Sequence, residues 1–409
     1  ILNIIDSDSS RLKRSIILFT VFIDATGYAM IFPLLPFISS SFGVGAAGLG
    51  LLMLVFALMQ FIFSPIMGKL SDRHGRRKLL LTSIGFSALS FLMFTIASAY
   101  WFLLISRILA GMATEVSIAQ AYMSDITSHE NRTPGLGKVR AAFSAGVIIG
   151  PTIGGLLSFV GYWASGLLAV GLTLLNLIFA YFFLPETVNR DNSVKTKPIL
   201  LNSGENRLER IKSAFNQPII LSLLLTFFIV NYAFAAIPIL VPYVSQEFFG
   251  FTELDLSLVF MFIGGLQFIT QGFFMKKLSK VLGEIILIVF GIIMISLGIL
   301  LMPFLNYIIL FYILLAILST GTGFVRTSVP GLISKISNEE EQGKYMGMAQ
   351  SAASLALIPG PLIAGITYQY INFYAPFLIS SLLVFLTLIL IVIVYIQLAN
   401  KEKEELRHS

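Results

Sequence analysis

The chain has 409 residues, 56% of them hydrophobic and only 12% charged, where soluble domains carry about 25% charged residues. That balance excludes an ordinary soluble fold. The absence of cysteine excludes disulfides, thiolate nucleophiles and thiolate metal sites. A net charge of +6 raises the question of an anionic partner, which the placement of the basic residues answers below.

Twelve apolar segments follow one another, each long enough to cross a ~30 Å hydrocarbon core. A spanning segment must satisfy its own backbone, so each is expected to be a helix. The short alternating segments of a barrel are absent from the sequence. Span 1 covers 15–38. Arg11, Lys13 and Arg14 lead into it, and its length exceeds the apolar core of a cleavable leader. It contains FIDATGYAMIFPLLPF, with Asp24 near its middle, Tyr28 one turn on, and Pro33 and Pro36 after them. Span 2, 46–67, is followed by GKLSDRHGRRK, from Gly68 to Lys78. In that loop Gly68 and Gly75 permit close helix approach and a tight turn. Asp72 there sits among Arg73, Arg76 and Arg77, where charge-assisted pairs can form.

Span 3 covers 79–98. Span 4, 102–124, carries Arg107 and Glu115 and ends at Asp125. Arg107, Gly111 and Glu115 follow i, i+4, i+8 and are expected on one face of an unbroken helix. Span 5, 139–160, contains GVIIGPTIGG, in which Gly146, Gly150 and Gly154 recur every four residues and Pro151 and Gly155 join them. Such a small-residue face lets helices approach closely, and Pro151 is expected to bend the helix. Span 6 is 164–185. A polar, charged loop from Glu186 to Asn216 follows, whose segment NRLERIKSAF is expected to form an amphipathic surface helix. Span 7, 217–244, carries Asn231. Span 8, 256–275, carries Gln267 and Gln271. Spans 9 and 10 are 283–302 and 307–331, the latter with Arg326. Spans 11 and 12 are 345–367 and 375–398.

Of the 27 lysines and arginines, all but Arg107 and Arg326 fall at one set of alternating span ends or in the loops and tails between them. The opposite loops carry none, and hold Glu247, Glu253 and Asp255. Under the positive-inside rule both termini are then cytoplasmic. The positive charge reflects topology and anionic lipid, and no nucleic-acid partner is expected.

The halves repeat. IFPLLPF in span 1 answers AIPILVPY in span 7, Lys69-Leu70-Ser71 answers Lys277-Leu278-Ser279, and Gly150-Pro151 answers Gly360-Pro361, at a nearly constant offset. A parallel six-span repeat is the pattern of transporter halves with a substrate site near the midplane. The expected organisation is an all-α membrane protein. It has an N-terminal six-helix bundle, 1–185, a cytoplasmic linker, 186–216, and a C-terminal six-helix bundle with its tail, 217–409.

Several motifs carry a resemblance. Gly-x-x-x-Asp-Arg-x-Gly-Arg-Arg in the 2–3 loop resembles the signature loop of the major facilitator superfamily. RILAG and the terminal Asp125 of span 4 resemble that family's fourth-span pattern. The glycine-proline run of span 5 is similar to the one that marks its drug:proton antiporters. The Asp24, Gly27, Pro33, Pro36 order resembles the opening span of twelve-span drug exporters, including tetracycline and multidrug efflux proteins. The resemblance implies a central cavity lined mainly by helices 1, 4, 7 and 10, rocking alternating access, and a proton-coupling role for Arg107. It further implies a monomer in a prokaryotic inner membrane, driven by the proton gradient without a cofactor. Glu115 departs from the commonest exporter pattern, which has a small residue there.

Asp24, Glu115, Arg107 and Arg326 are the ionisable residues inside spans, and such residues face a bundle interior or wet cavity and mark transport pathways. A carboxylate at the bilayer centre costs roughly 2.5–3.5 kcal/mol on insertion scales. Two readings stand. In one, Asp24 and Glu115 relay protons and meet cationic or amphiphilic cargo, with Tyr28, Asn231 and Gln267 adding hydrogen bonds. In the other, a carboxylate and an arginine form a static pair that fixes packing. A sugar or siderophore exporter, or an uncoupled facilitator, remains an alternative of the same fold. An enzyme is not expected, since His74, His129 and His408 all lie outside the spans and no residue set there forms a nucleophile or metal cluster.

Overall fold

A computed structural model describes residues 2–127, 132–187, 217–305 and 307–408. Twelve helices long and apolar enough to cross a membrane lie among them. In the first half these are α1 (Lys13–Ser41), α2 (Ala46–His74), α3 (Arg76–Thr95), α4 (Tyr100–Asp125), α5 (Pro134–Leu157) and α6 (Tyr162–Phe183). In the second half they are α7 (Pro218–Phe249), α8 (Glu253–Leu282), α9 (Glu284–Phe304), α10 (Ile308–Ile336), α11 (Glu341–Tyr370) and α12 (Ala375–Asn400). No strand occurs among the described residues. The NRLERIKSAF segment, most of the expected linker and His129 lie outside the described residues.

Several spans are not uniform helices. α1 tightens into a 3-10 turn at Phe32–Leu34, where Pro33 removes a backbone donor, and then continues to Ser41. α4 is two helices, Tyr100–Met112 and Glu115–Asp125, with Ala113 extended between them. No proline or glycine stands at the break. Instead the Thr114 N–H donates to Ser83 Oγ at 2.6 Å, a tertiary bond that replaces the helical one. The expected i, i+4, i+8 face through Arg107, Gly111 and Glu115 is therefore corrected: Glu115 opens a new helical segment. α8 contains a π turn at Thr270–Phe274, which includes Gln271. α11 is interrupted after Ala356 and resumes at Pro359. α5 continues as a helix through Pro151.

The chain forms two compact units. The first holds the described part of 1–196 together with 251–264, so the beginning of α8 clusters with the first half. The second holds the described part of 197–250 and 265–409. In the first unit α1 packs along α5 and α6, and α3 packs on α4 and α6. Ile16, Leu80, Ile84, Ile118, Tyr122 and Leu184 form a buried apolar cluster in this unit. In the second unit α9 packs on α10 and α12, and α7 on α11 and α12.

The repeat seen in sequence has a backbone counterpart. Gly75 turns α2 into α3 at φ 101°, and Gly283 turns α8 into α9 at φ 76°. Gly43 and Gly250 follow α1 and α7 with φ 73° and 61°. Such positive φ values favour glycine, which has no Cβ to clash. Each pair stands at the displacement shown by the sequence matches.

Candidate functional site

Within the first unit, α1, α3 and α4 bring two acids to one hydroxyl. Ser87 on α3 lies 2.8 Å from Glu115 Oε1 and 3.2 Å from Asp24 Oδ1. Glu115 is buried, at 2% exposure, as is Ser87, at 5%. The local sequence explains the placement. Ser83, Ser87 and Ser90 recur at i, i+4, i+7, one face of α3, and all three are buried. Ser83 holds the α4 break, Ser87 meets the acids, and Ser90 donates to the Ser106 carbonyl at 2.9 Å. No sequence motif marks this serine stripe. It was visible as polar residues at helical spacing inside an apolar span.

Arg107 is buried at 2% exposure on α4. Its Nη2 reaches Ser106 Oγ at 3.2 Å, and its Nε has no hydrogen-bond partner. It pairs with neither Asp24 nor Glu115, so the alternative reading of a static pair between Arg107 and one of these carboxylates is corrected. Tyr28 lies close enough to Arg107 to interact electrostatically with it. The Tyr28 ring stacks on Phe56 at 5.1 Å.

In the second unit, Arg326 on α10 stands over the Phe234 ring of α7 at 4.8 Å, a cation–π contact. Asn231 turns its amide to the Phe227 carbonyl at 2.8 Å, so its donor serves its own helix. Gln267 is half-buried, and its Nε2 is buried without a partner.

The signature loop builds a charged knot where α2 turns into α3. Arg76 reaches Asp72 at 2.5 Å, Asp125 at 3.0 Å and Ser71 Oγ at 2.6 Å. Its backbone N–H donates to Glu186 Oε1 at 2.8 Å. Arg77 donates to the Tyr181 carbonyl and lies 5.4 Å from that ring. Asp125 also accepts from Thr187 Oγ1 at 3.4 Å. Glu186, read from sequence as the start of the linker, caps α3 instead. A Cβ at Gly75 would collide with the Glu186 carboxylate. Arg73 is exposed. Gly68 is corrected: a Cβ there meets nothing within 4 Å, so no close approach requires it.

The α5 glycines meet the α1 backbone. A Cβ on Gly146 would stand 2.6 Å from the Phe22 carbonyl oxygen, and one on Gly150 the same distance from that of Thr26. One on Gly154 would overlap the Met30 carbonyl. Gly155 faces Ser257 of the α8 segment that clusters with this unit. Gly360 repeats the arrangement in the second unit, where an added Cβ would stand 2.7 Å from the Tyr232 carbonyl oxygen.

The Major Facilitator Superfamily profile matches residues 17–357 and 271–409. The chain belongs to the Major Facilitator Superfamily. It is 30% identical over 361 residues to the class H tetracycline resistance protein of Pasteurella multocida, covering 87% of this chain and 88% of that one. It is 28% identical over 367 residues to multidrug resistance protein 1 of Bacillus subtilis (strain 168), covering 88% and 91%. Among solved structures, the nucleoside transporter NupG shares the fold with a TM-score of 0.75 at 12% identity, over 93% of this chain and 98% of that one. The human organic anion transporter MFSD10 does so with a TM-score of 0.67 at 21% identity, over 93% and 99%. This member of the superfamily is an integral membrane protein with twelve apolar helices.

Proposed function

We propose that this superfamily member is a secondary active transporter, not an enzyme. It exports drug-like, amphiphilic or cationic small molecules in exchange for protons by alternating access. The observation that carries the reading is the Asp24–Ser87–Glu115 arrangement, two carboxylates held together at the middle of their spans. A static packing role for a carboxylate is best served by a cationic partner, and Arg107 in the same unit supplies none. Intramembrane carboxylates without such a partner are the elements of proton relays. The tetracycline and multidrug resistance relatives support the export direction and the cargo class.

In this reading Asp24 and Glu115 exchange protons with cargo. Arg107 and Tyr28 tune the field around them, and within the second unit Arg326, Asn231 and Gln267 are candidate cargo contacts. The Arg76–Asp72–Asp125 knot is a gate on the cytoplasmic side. The glycines of α5 let α1 lie close. Both termini are cytoplasmic, in a prokaryotic inner membrane, and the protein works as a monomer among lipids without a cofactor. Each proton charge moved down 100 mV supplies about 2.3 kcal/mol.

The test is an efflux screen in a pump-deficient bacterial strain against lipophilic cations and tetracyclines, with and without a collapsed proton gradient. Export that collapses with the gradient supports the reading. Export of a neutral sugar alone, insensitive to the gradient, overturns it.

A further inference from the structure

We infer that Asp24 and Glu115 share a single exchangeable proton, and that the Ser87 hydroxyl is the bridge that passes it between them. This rests on the proton-coupled reading above and deepens it. Three oxygens stand in a row, Asp24 Oδ1, Ser87 Oγ and Glu115 Oε1, separated by 3.2 and 2.8 Å. Both separations are hydrogen-bond distances, yet a serine hydroxyl has one hydrogen. It can donate to one carboxylate only. The other contact is a hydrogen bond only when that side chain is a carboxylic acid donating to a lone pair on Ser87 Oγ. With both groups ionised, one of the two contacts loses its hydrogen and two like charges stand close, Glu115 buried and Asp24 half-buried. With both protonated two hydrogen bonds can still form, but neither is charge-assisted, so the one-proton state alone combines two hydrogen bonds with a charged acceptor.

The same chain moves the proton. When Asp24 is the acid, its O–H bond breaks toward Ser87 Oγ while the Ser87 O–H proton passes to Glu115 Oε1. The carboxylate then stands on Asp24 and the acid on Glu115, with net charge unchanged. One step carries the proton from α1 to the start of the second α4 helix. The Thr114 N–H bond to Ser83 holds that start in place.

The surroundings have spare capacity for hydrogen bonds. Thr20 lies one turn from Asp24, and Thr114 is next to Glu115. Thr173 and Asn176 lie on the α6 face that packs on α1 and α3 through Ala169. All four are at most 4% exposed, and Thr20 Oγ1, Thr114 Oγ1, Thr173 Oγ1 and both Asn176 polar atoms lack a partner. Buried polar groups of this kind are where ordered water collects. Away from the span ends, the other ionisable groups of this unit are Arg107 on α4 and Tyr28 on α1; Tyr100, Tyr122 and Asp125 stand near the ends of α4, and Lys69, Asp72, Arg73 and His74 near the end of α2. α3, α5 and α6 carry ionisable residues only near their ends.

The experiment is an infrared pH titration of the full-length protein in lipid nanodiscs, following the carboxylic-acid carbonyl band in H2O and D2O. The wild type should pass through a plateau with one protonated acid, its band sensitive to deuterium. Ser87→Ala should narrow that plateau by about 1–2 pH units, the equivalent of one hydrogen bond to a charged group. Ser87→Thr, which keeps a hydroxyl, should restore it. Asp24→Asn and Glu115→Gln should each leave one acid that titrates in a single step, because the amide takes the donor's place. Two acids titrating together in the wild type overturn the inference without any variant. So does a plateau of equal width in Ser87→Ala. Proton-driven export with no plateau refutes the bridge and leaves the transport reading intact. A plateau without proton-driven export does the reverse.

Discussion

Gly150 tests whether α1 and α5 are in backbone contact. Replacing it with alanine adds one methyl, 2.6 Å from the Thr26 carbonyl oxygen, 2.7 Å from Ala29 Cβ and 3.1 Å from the Met30 nitrogen. Ordinary contact begins near 3.4 Å, so α1 must retreat from α5 by about 0.8 Å. None of the three obstacles is a flexible side chain that can swing away. Overpacking of this kind costs about 1–3 kcal/mol, offset by about 0.5–1 kcal/mol from removing a glycine inside a helix. The net loss is then about 0–2.5 kcal/mol and centres on about 1 kcal/mol, a factor of about 5 in the folded ratio. Gly171 on α6 is the control, since a Cβ there meets nothing within 4 Å, and Gly171→Ala should be neutral or slightly stabilising. Adding Gly146→Ala to Gly150→Ala should cost less than the sum, because one retreat of α1 relieves both clashes. Thermal unfolding of the purified variants in one detergent measures all of this. Equal melting of Gly150→Ala and Gly171→Ala would refute the backbone contact.

The remaining tests use other parts of the chain. Asp24→Asn should abolish gradient-driven efflux while leaving expression and melting near wild type, read by transport in proteoliposomes with an imposed pH gradient. Arg76→Ala should lower stability by about 1.5–3 kcal/mol, the range for hydrogen bonds to charged groups. Arg76→Lys should recover little of it in the same melting assay, because an ammonium cannot span Asp72, Asp125 and Ser71 as a planar fork does. Lys335 pairs with Glu284 at 2.5 Å but is 62% exposed at its side chain, so Lys335→Ala should cost no more than about 1 kcal/mol and less in high salt. Because the chain has no cysteine, single replacements report topology directly. In intact cells an impermeant maleimide should label Phe159→Cys and spare Lys277→Cys, and the opposite pattern would invert the proposed orientation.

The sequence by itself determined the class, the number of spans and the repeat. These depend on summed quantities: apolar length set against bilayer thickness, the side on which lysine and arginine gather, and matches carried through half the chain. The Gly146–Gly150–Gly154 run was equally legible, because only a residue without a side chain suits a helix pressed against another backbone. Tertiary contact decided what a single residue faces. The break in α4 has no proline or glycine to announce it, since its cause is a serine on a different helix that takes the Thr114 N–H. Glu186 looked like the start of a linker until its carboxylate was seen to cap α3. Arg107 and the two acids could be drawn as a pair on charge alone, yet the fold sets Ser87 between Asp24 and Glu115 and leaves the arginine to Ser106. Helical spacing tells which residues share a face. Which neighbour that face meets, and whether the helix survives the meeting, is settled by packing among segments distant in the chain.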